Sequence, residues 1–149
     1  MDSIDVGIVK MLQQDGRTQY NEIAERLNLA NATVHARIIK LIRNKVIDKF
    51  SVQINPDTIG KPLSFLLSIS VDHHKDNPKE TMAKLLEIRD ALAVYCATGD
   101  WDYHILFQTK DVNAMKAIVT NEIKEKVPSI LRSSTQIILE KIEKPLTLE

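Results

Sequence analysis

The residues of the N-terminal half that could do chemistry lie on one predicted helix between Asn31 and Lys45. At about 100° per residue, that helix turns small, hydrogen-bonding and basic side chains to one side. Thr33 and His35 can hydrogen-bond to base edges, and lysine or arginine side chains suit phosphates. The residues predicted to contact DNA are Asn31, Ala32, Thr33, His35, Ala36, Arg37, Lys40, Arg43 and Lys45.

The apolar Ile39 falls on the same outward side of this helix. An isoleucine there is odd for a helix that meets only water, but it has a use against thymine methyl groups in the major groove. The alternative interpretation of the whole segment is a solvated charged face beside a small helical core.

The second group of candidate residues is the turn from Thr98 to Tyr103. Gly99 allows backbone amides to approach a ligand closely, and the carboxylates of Asp100 and Asp102 could bind an ammonium group. That chemistry suits a zwitterion such as an amino acid. The alternative is an ordinary hairpin turn whose aspartates make local hydrogen bonds.

The sequence offers no positive case for an enzyme, because no nucleophile with a base and no glycine-rich phosphate loop is apparent. His73 and His74 are predicted to lie in a solvated loop, and His104 to be a hydrogen-bonded residue of a strand. Cys96 is the only cysteine and is predicted to be a small buried hydrophobe. We therefore expect no catalytic residue, no metal site and no cofactor.

Charge and hydropathy limit the classes to which the protein can belong. The net charge is zero, with 20 Lys and Arg against 20 Asp and Glu, which argues against a surface that binds polyanions throughout. The basic residues concentrate instead between residues 28 and 50, beside the predicted reading helix. No apolar run approaches the roughly 20 residues that span a bilayer, and the N-terminus lacks the pattern of a signal peptide. We expect a cytoplasmic protein.

These side chains need elements to position them, and helical periodicity supplies three in the N-terminal part. Asp2, Ser3 or Asp5 could cap the first helix, Thr18 the second and Asn31 the third. Each helix has a single apolar stripe, so the three must pack on one another. The stripes are Ile4, Ile8, Met11 and Leu12, then Tyr20, Ile23, Ala24 and Leu27, then Val34, Ile38, Leu41 and Ile42.

In the rest of the chain, alternating apolar and polar residues predict several β-strands. A strand or small wing is predicted over 46–54, and the prolines and glycine of 55–62 mark a boundary. Beyond it the order is β-α-β-β-α-β, with strands at 63–71, 91–98, 101–109 and 130–142 and helices over 79–88 and from Val112, behind a cap at Asp111. The fold class is α+β: a helix-turn-helix domain (1–50), a strand linker (51–62) and a ferredoxin-like domain (63–149). Apolar residues on both sides of the strands predict a homo-oligomer.

Two motifs, one in each half of the chain, resemble those of the Lrp/AsnC (feast/famine) family of transcription regulators. The N-terminal match rests on Ile4-Asp5, Asp15-Gly16-Arg17, Glu22-Ile23-Ala24, Thr33-Val34, Arg37-Ile38 and Val46-Ile47, and the C-terminal match on Gly99-Asp100-Trp101-Asp102-Tyr103. The resemblance implies a dimer that binds a near-palindromic DNA site and often assembles into an octamer. It also implies an effector, often an amino acid, bound between C-terminal domains near the turn: Thr98, Gly99, Asp100, Asp102 and Tyr103, with Ser134 and Thr135 as further liners.

The chain departs from the family pattern at Lys45, where a glycine is usual. The lysine adds a charge near the DNA backbone and predicts a different end for the third helix. Two other functions remain open on the same scaffold. Tetrapyrrole (sirohaem) decarboxylases resemble this family and use histidines, for which His104 is the only candidate within the sheet; a DNA-architectural protein would bind with little sequence preference.

Overall fold

A computed structural model describes residues 1–148. The chain forms two compact units, which divide between Gln53 and Ile54. The first unit is helical, and the C-terminal segment that begins at Ile142 packs with it. The second unit runs from Ile54 to Lys141.

The helical unit contains α1 (Ser3–Gln14), α2 (Tyr20–Arg26) and α3 (Asn31–Arg43). Their apolar stripes meet in one core, in which Ile8, Ile23, Val34 and Ile38 are almost completely buried. Burying each such side chain contributes about 1.5–3 kcal/mol, which none of these short helices could gain alone. The three predicted helices are confirmed, although Ile42 lies 42% exposed and outside its predicted stripe.

Of the caps predicted for the three N-terminal helices, only that of α1 is confirmed. The Asp2 carboxylate accepts the Asp5 N–H at 2.9 Å, and the Asp5 carboxylate accepts the Asp2 N–H at 3.2 Å, which makes a capping box. Helices α2 and α3 begin after Gln19 and Ala30, and neither residue caps its helix with a side chain. The predicted cap at Thr18 is wrong because its hydroxyl donates to the Asp15 carbonyl at 2.7 Å instead.

The predicted cap at Asn31 is also wrong, because Asn31 is already the first residue of α3. Helices α2 and α3 instead share the same kind of C-terminus. At the end of α3, Lys45 adopts φ +58° and donates its N–H to Ile42, while Val46 donates to Leu41 at 2.9 Å. This is a Schellman motif. The different helix end predicted for Lys45 is therefore wrong: lysine takes the left-handed conformation that glycine would take, at a cost of roughly 1–2 kcal/mol.

The strand predicted over 46–54 is wrong for the described chain, in which residues 48–54 have no regular secondary structure. A strand needs a neighbour to pair its backbone groups, and none of residues 1–148 pairs with this segment as a strand. Its apolar side chains stay exposed, Val52 at 82% and Ile54 at 61%. A 3₁₀ turn over Asp57–Ile59 follows, near the start of the second unit.

The second unit has the predicted β-α-β-β-α-β order. Its elements are β1 (Leu63–Val71), α4 (Pro78–Leu86), β2 (Ala91–Cys96), β3 (Tyr103–Thr109), α5 (Val112–Ala117), a π-helical turn (Ile118–Glu122), α6 (Ile123–Lys126) and β4 (Ile130–Ile137). The strands form one antiparallel sheet in the order β2-β3-β1-β4. Asp111 caps α5 as predicted, accepting the Ala114 N–H at 2.8 Å. The last strand ends five residues earlier than the sequence suggested.

The sheet separates two kinds of face. On the helix side, Phe65 of β1 stacks on Phe107 of β3 with ring centroids 4.7 Å apart, at the centre of the core. On the other side, half-buried Leu66 and Leu106 lie opposite each other in register. One predicted buried position is wrong: Cys96 is exposed at the end of edge strand β2.

The tail from Ile142 is held against the helical unit by few contacts. The Gln13 side-chain amide donates to the Leu146 carbonyl at 3.0 Å, and Leu148 packs on the helical core. Elsewhere the tail exposes apolar side chains, Ile142 at 95% and Leu146 at 81%. Among residues 1–148, none of the helices is long and apolar enough to cross a membrane.

Candidate functional sites

Helix α3 has a buried side and an exposed side, as its periodicity predicts. Val34, Ile38 and Leu41 lie in the core, while Ile39 on the opposite side is 43% exposed. All but one of the residues predicted to contact DNA are exposed, and they are Asn31, Ala32, Thr33, His35, Ala36, Lys40, Arg43 and Lys45. The helix thus offers a continuous outward surface that is small and polar at its N-terminal end and basic at its C-terminal end.

The connection between α2 and α3 is fixed by a second Schellman motif. Asn28 adopts φ +52°, and Leu29 donates its N–H to the Ala24 carbonyl at 2.8 Å. Because Ala24 is buried and Leu29 packs against the same core, the turn sets the direction in which α3 leaves. The ring centroids of Tyr20 on α2 and His35 on α3 lie 5.8 Å apart, so α2 also packs beside the exposed side of α3.

Arg37 is the exception among the predicted DNA contacts. Its guanidinium Nη1 lies 2.8 Å from a carboxylate oxygen of Asp2 and 2.8 Å from one of Asp5. The hydrogen bonds that Arg37 donates to Asp2 and then to Asp5 raise the pKa of Arg37. The pKa of Asp2 is lowered, first by the Asp5 N–H and then by Arg37. Two carboxylates thus neutralise the arginine, which joins α3 to the N-terminus of α1.

The other basic residues of this surface are free of carboxylates. Within the part of the chain that the structure describes, Lys40, Arg43 and Lys45 form no ion pair. Arg26 on α2, by contrast, is paired with Glu22 at 2.7 Å. The three unpaired cations cluster at one end of α3, where a phosphate could approach them without displacing an internal partner.

The turn between β2 and β3 exposes the first part of the predicted effector site. Thr98, Gly99 and Asp100 are exposed, and Gly99 has φ +117°, a conformation that favours glycine. The turn closes where the Ala97 N–H meets the Asp102 carbonyl at 3.0 Å. Among residues 1–148 the Asp100 carboxylate has no hydrogen-bond or ion-pair partner, so it is available to a ligand.

Asp102 faces inward and holds the turn. Its carboxylate accepts the Val71 N–H at 2.9 Å and lies 3.3 Å from the His73 imidazole, while its own N–H donates to Ile69. These bonds tie the turn to the end of β1. The side chain is 20% exposed, so its accessible part is small.

Tyr103 lies inside the core, with 1% of its surface exposed. Its hydroxyl donates to the Asp76 carboxylate at 2.5 Å, and the same carboxylate accepts the Thr81 hydroxyl at 2.6 Å. Burial, and then the hydrogen bond to Asp76, raise the pKa of Tyr103 above its ordinary value. The side chain of Tyr103 is therefore buried and its hydroxyl is bonded to Asp76, and its role in an effector site stays a prediction.

The predicted further liners, Ser134 and Thr135, lie on opposite faces of the sheet because side chains alternate along β4. Ser134 pairs with Ser68 on the outer face, whereas Thr135 pairs with Leu67, which faces the helices. Arg132, two residues before Ser134, shares its face. The structure thus puts the two predicted liners in different environments.

Arg132 is a residue that the sequence alone did not indicate. Its Nη2 donates to the Asp100 carbonyl at 2.7 Å, and its Cζ lies 4.5 Å from the centre of the Trp101 ring. The sequence predicted the order of the elements, but it did not give the register that brings Arg132 on β4 opposite Ser70 on β1.

The histidines occupy the positions predicted for them. His104 Nδ1 lies 2.8 Å from the Ser68 hydroxyl within the sheet, which confirms a hydrogen-bonded sheet residue. His73 and His74 are exposed in the loop after β1. Residues 1–148 contain no group of three or more His, Cys, Asp or Glu side chains arranged to hold a metal ion.

Comparisons with known proteins agree with this division. Residues 1–42 match the model of the AsnC-type helix-turn-helix domain, and residues 64–147 match that of the Lrp/AsnC ligand binding domain. The chain is 31% identical over 139 residues to the HTH-type transcriptional regulator FL11 of Pyrococcus abyssi, a match covering 93% of this chain and 89% of that one.

Solved structures share the fold along the whole chain. AsnC of E. coli superposes with a TM-score of 0.90 at 24% identity, covering 99% of both chains. The regulator NMB0573 of Neisseria meningitidis, solved as an L-Met complex, has a TM-score of 0.89 at 21% identity and covers 100% of this chain and 96% of its own. The chain belongs to the Lrp/AsnC family of transcriptional regulators, with an N-terminal DNA-binding domain and a C-terminal ligand-binding domain.

Proposed function

We propose that this regulator binds DNA sequence-specifically in the cytoplasm through the exposed side of α3. The observation that carries the proposal is the unpaired basic cluster of Lys40, Arg43 and Lys45, next to exposed hydrogen-bonding residues on the same helix. A helix of this kind fits the major groove of B-DNA. The basic end would bind phosphates, and the N-terminal end would meet the bases.

Roles within α3 follow from chemistry and position. Thr33 and His35 offer hydrogen-bonding groups to base edges, and Ala36 offers a methyl group. Ile39 is exposed on the same side of α3, so its side chain could contact thymine methyl groups in the major groove. Arg37 has a positioning role in this proposal, because its ion pairs with Asp2 and Asp5 fix α3 against α1 while leaving little charge for a phosphate.

We further propose that the chain works as a homo-oligomer, a dimer or an octamer assembled from dimers, in which the two α3 helices of a dimer meet successive major grooves about 34–36 Å apart. The outer face of the sheet is the candidate pairing surface. Leu66 and Leu106 form its half-buried apolar centre, and Tyr95 is 54% exposed beside them on β2. A second copy covering this face would remove these side chains from water.

The effector in this proposal is a small zwitterion, an amino acid, bound at the exposed Thr98–Asp100 part of the turn. The free Asp100 carboxylate suits its ammonium group, and NMB0573, a structural neighbour, was solved with L-Met. The effector would change DNA binding only by binding one assembly or domain arrangement more tightly than another.

Selection from a random duplex library tests the DNA-binding part. The full chain is mixed with the library, bound duplexes are recovered and sequenced, and the motif is compared between the wild type and Thr33→Ala. We expect an approximately palindromic motif that changes at the positions Thr33 contacts. Recovery of duplexes without sequence enrichment would contradict sequence-specific binding and indicate an architectural protein. A thermal-shift screen of the twenty amino acids tests the effector.

A further inference from the structure

Arg132 connects β4 to the effector turn by two contacts with consecutive residues. Its guanidinium donates to the Asp100 carbonyl at 2.7 Å and stacks on Trp101 with Cζ 4.5 Å from the ring centre. A single hydrogen bond would let the side chain pivot. The second contact restricts this motion and holds the guanidinium beside the turn.

Most of the binding capacity of this guanidinium is unused. Arginine has five N–H donors, and in residues 1–148 the side chain makes one hydrogen bond, which goes to a neutral carbonyl. Arg132 is exposed and forms no ion pair with a described residue. Its positive charge therefore remains without a counter-charge.

A free negative charge lies on the residue that Arg132 contacts. The guanidinium bonds to the backbone carbonyl of Asp100 and leaves the carboxylate of the same residue unpaired. The guanidinium and the carboxylate thus belong to two residues in contact and form no ion pair, so together they can bind a molecule that carries opposite charges on adjacent groups. An α-amino acid has this arrangement.

We propose that Arg132 is a specificity-determining residue of the effector site, which binds the carboxylate of an amino-acid effector while Asp100 binds its ammonium group. The inference deepens the proposed function and rests on its assignment of an amino acid to the Thr98–Asp100 turn. A planar guanidinium can hold a carboxylate through two parallel hydrogen bonds, a geometry that a lysine could not reproduce.

Trp101 supplies a local reporter, because it is the only tryptophan of the chain. The wild-type full chain is titrated with each of the twenty L-amino acids while tryptophan fluorescence is followed. A carboxylate that binds Arg132 alters the charge stacked on the indole ring, so we expect the amino acids that bind to change the emission. Their affinities are then measured by calorimetry.

A thermodynamic cycle separates a ligand contact from a merely structural role. Each amino acid that binds is compared with its own amide, for example L-methionine with L-methioninamide, which keeps the ammonium group and lacks the carboxylate. The wild type should prefer the amino acid by about tenfold to a hundredfold, as for hydrogen bonds to charged groups. Arg132→Ala should bring this ratio close to one. If Arg132 only supports the turn, both affinities fall by the same factor and the unchanged ratio overturns the proposal.

Two further variants sharpen the result. Arg132→Lys keeps the charge without the planar fork and should give an intermediate ratio. Arg89→Ala removes another exposed arginine of the same unit and should keep the wild-type ratio. If no amino acid binds the wild type, the amino-acid effector itself is wrong and the inference falls with it. Binding by the wild type with an unchanged ratio in Arg132→Ala overturns the role of Arg132 alone.

Discussion

The exposed side of α3 and the turn between β2 and β3 use their polar residues in different ways. At the C-terminal end of α3, Lys40, Arg43 and Lys45 make no ion pair within the described chain, and the helix is supported from its opposite side by Val34 and Ile38. In the turn, Asp102 and Tyr103 are bonded inward.

The difference follows from the support that each element provides. A helix satisfies its own backbone and needs only one apolar side, which leaves the other side free for recognition. An irregular turn must satisfy its backbone with side chains, so part of any motif there serves as scaffold. We therefore expect that substituting a residue bonded inward lowers the free energy of unfolding strongly, and that substituting an exposed residue lowers it little. Four predictions test this contrast, ordered by their expected effect on stability.

Asp76→Ala should have the largest effect. The substitution leaves the buried hydroxyls of Tyr103 and Thr81 without their acceptor, which should lower the free energy of unfolding by on the order of 3 kcal/mol. Urea unfolding followed by Trp101 fluorescence reports on this unit. The matched control is Asp100→Ala in the exposed part of the turn, which should stay within about 0.5 kcal/mol of the wild type. Equal losses in the two variants would mean that the turn is not divided into scaffold and surface.

Tyr103 predicts an alkaline pH dependence. Its pKa is raised in the folded protein, so the neutral phenol is favoured there, and the associated stability is complete below the unfolded pKa of about 10. As pH rises above that value, the unfolded chain ionises first and the folded state loses stability. Tyr103→Phe should therefore lose less of its own unfolding free energy between pH 9 and 11 than the wild type does. Parallel losses in the two proteins would show that Tyr103 ionises as freely when folded as when unfolded.

How much of each region was predictable follows from the same contrast. Helical periodicity predicted the exposed side of α3, including Ile39. Strict alternation predicted both ends of β1, Leu63 and Val71, correctly. Both patterns report which side of a regular element is buried. The inward role of Tyr103 was within reach, since Tyr103, Ile105 and Phe107 alternate on one face of the predicted strand.

The rest depended on contacts between residues distant in the chain. Arg132 reaches Asp100 only because β4 pairs with β1 in one particular register. The sequence of a short strand does not determine that register by itself. Arg37 was predicted to contact DNA because its position on the helix circumference is intermediate. Its ion pairs with Asp2 and Asp5 come from the packing of α1 on α3, which periodicity does not give.

Lys45→Gly should separate stability from DNA binding at the end of α3. Glycine adopts φ +58° without strain, so the free energy of unfolding should rise by about 0.5–1 kcal/mol. The loss of a charge should at the same time weaken DNA binding, if Lys45 contacts a phosphate. Lys45→Ala is the control, since it loses the same charge and keeps the strain. We expect both variants to bind DNA equally and only the glycine variant to be stabilised; equal stability of the two would contradict the strain assigned to Lys45.

Lys40→Ala should have the smallest effect on stability and a clear effect on DNA. The side chain is exposed and unpaired, so the free energy of unfolding should change by less than about 0.5 kcal/mol. Affinity should fall for specific and random duplexes alike, and the slope of log affinity against log salt concentration should decrease by about one, because one phosphate contact is lost. Lys116→Ala, an exposed lysine of α5, serves as control and should keep the wild-type slope. A wild-type slope in Lys40→Ala would remove this lysine from the phosphate contacts and move the basic end of the interface toward Arg43 and Lys45.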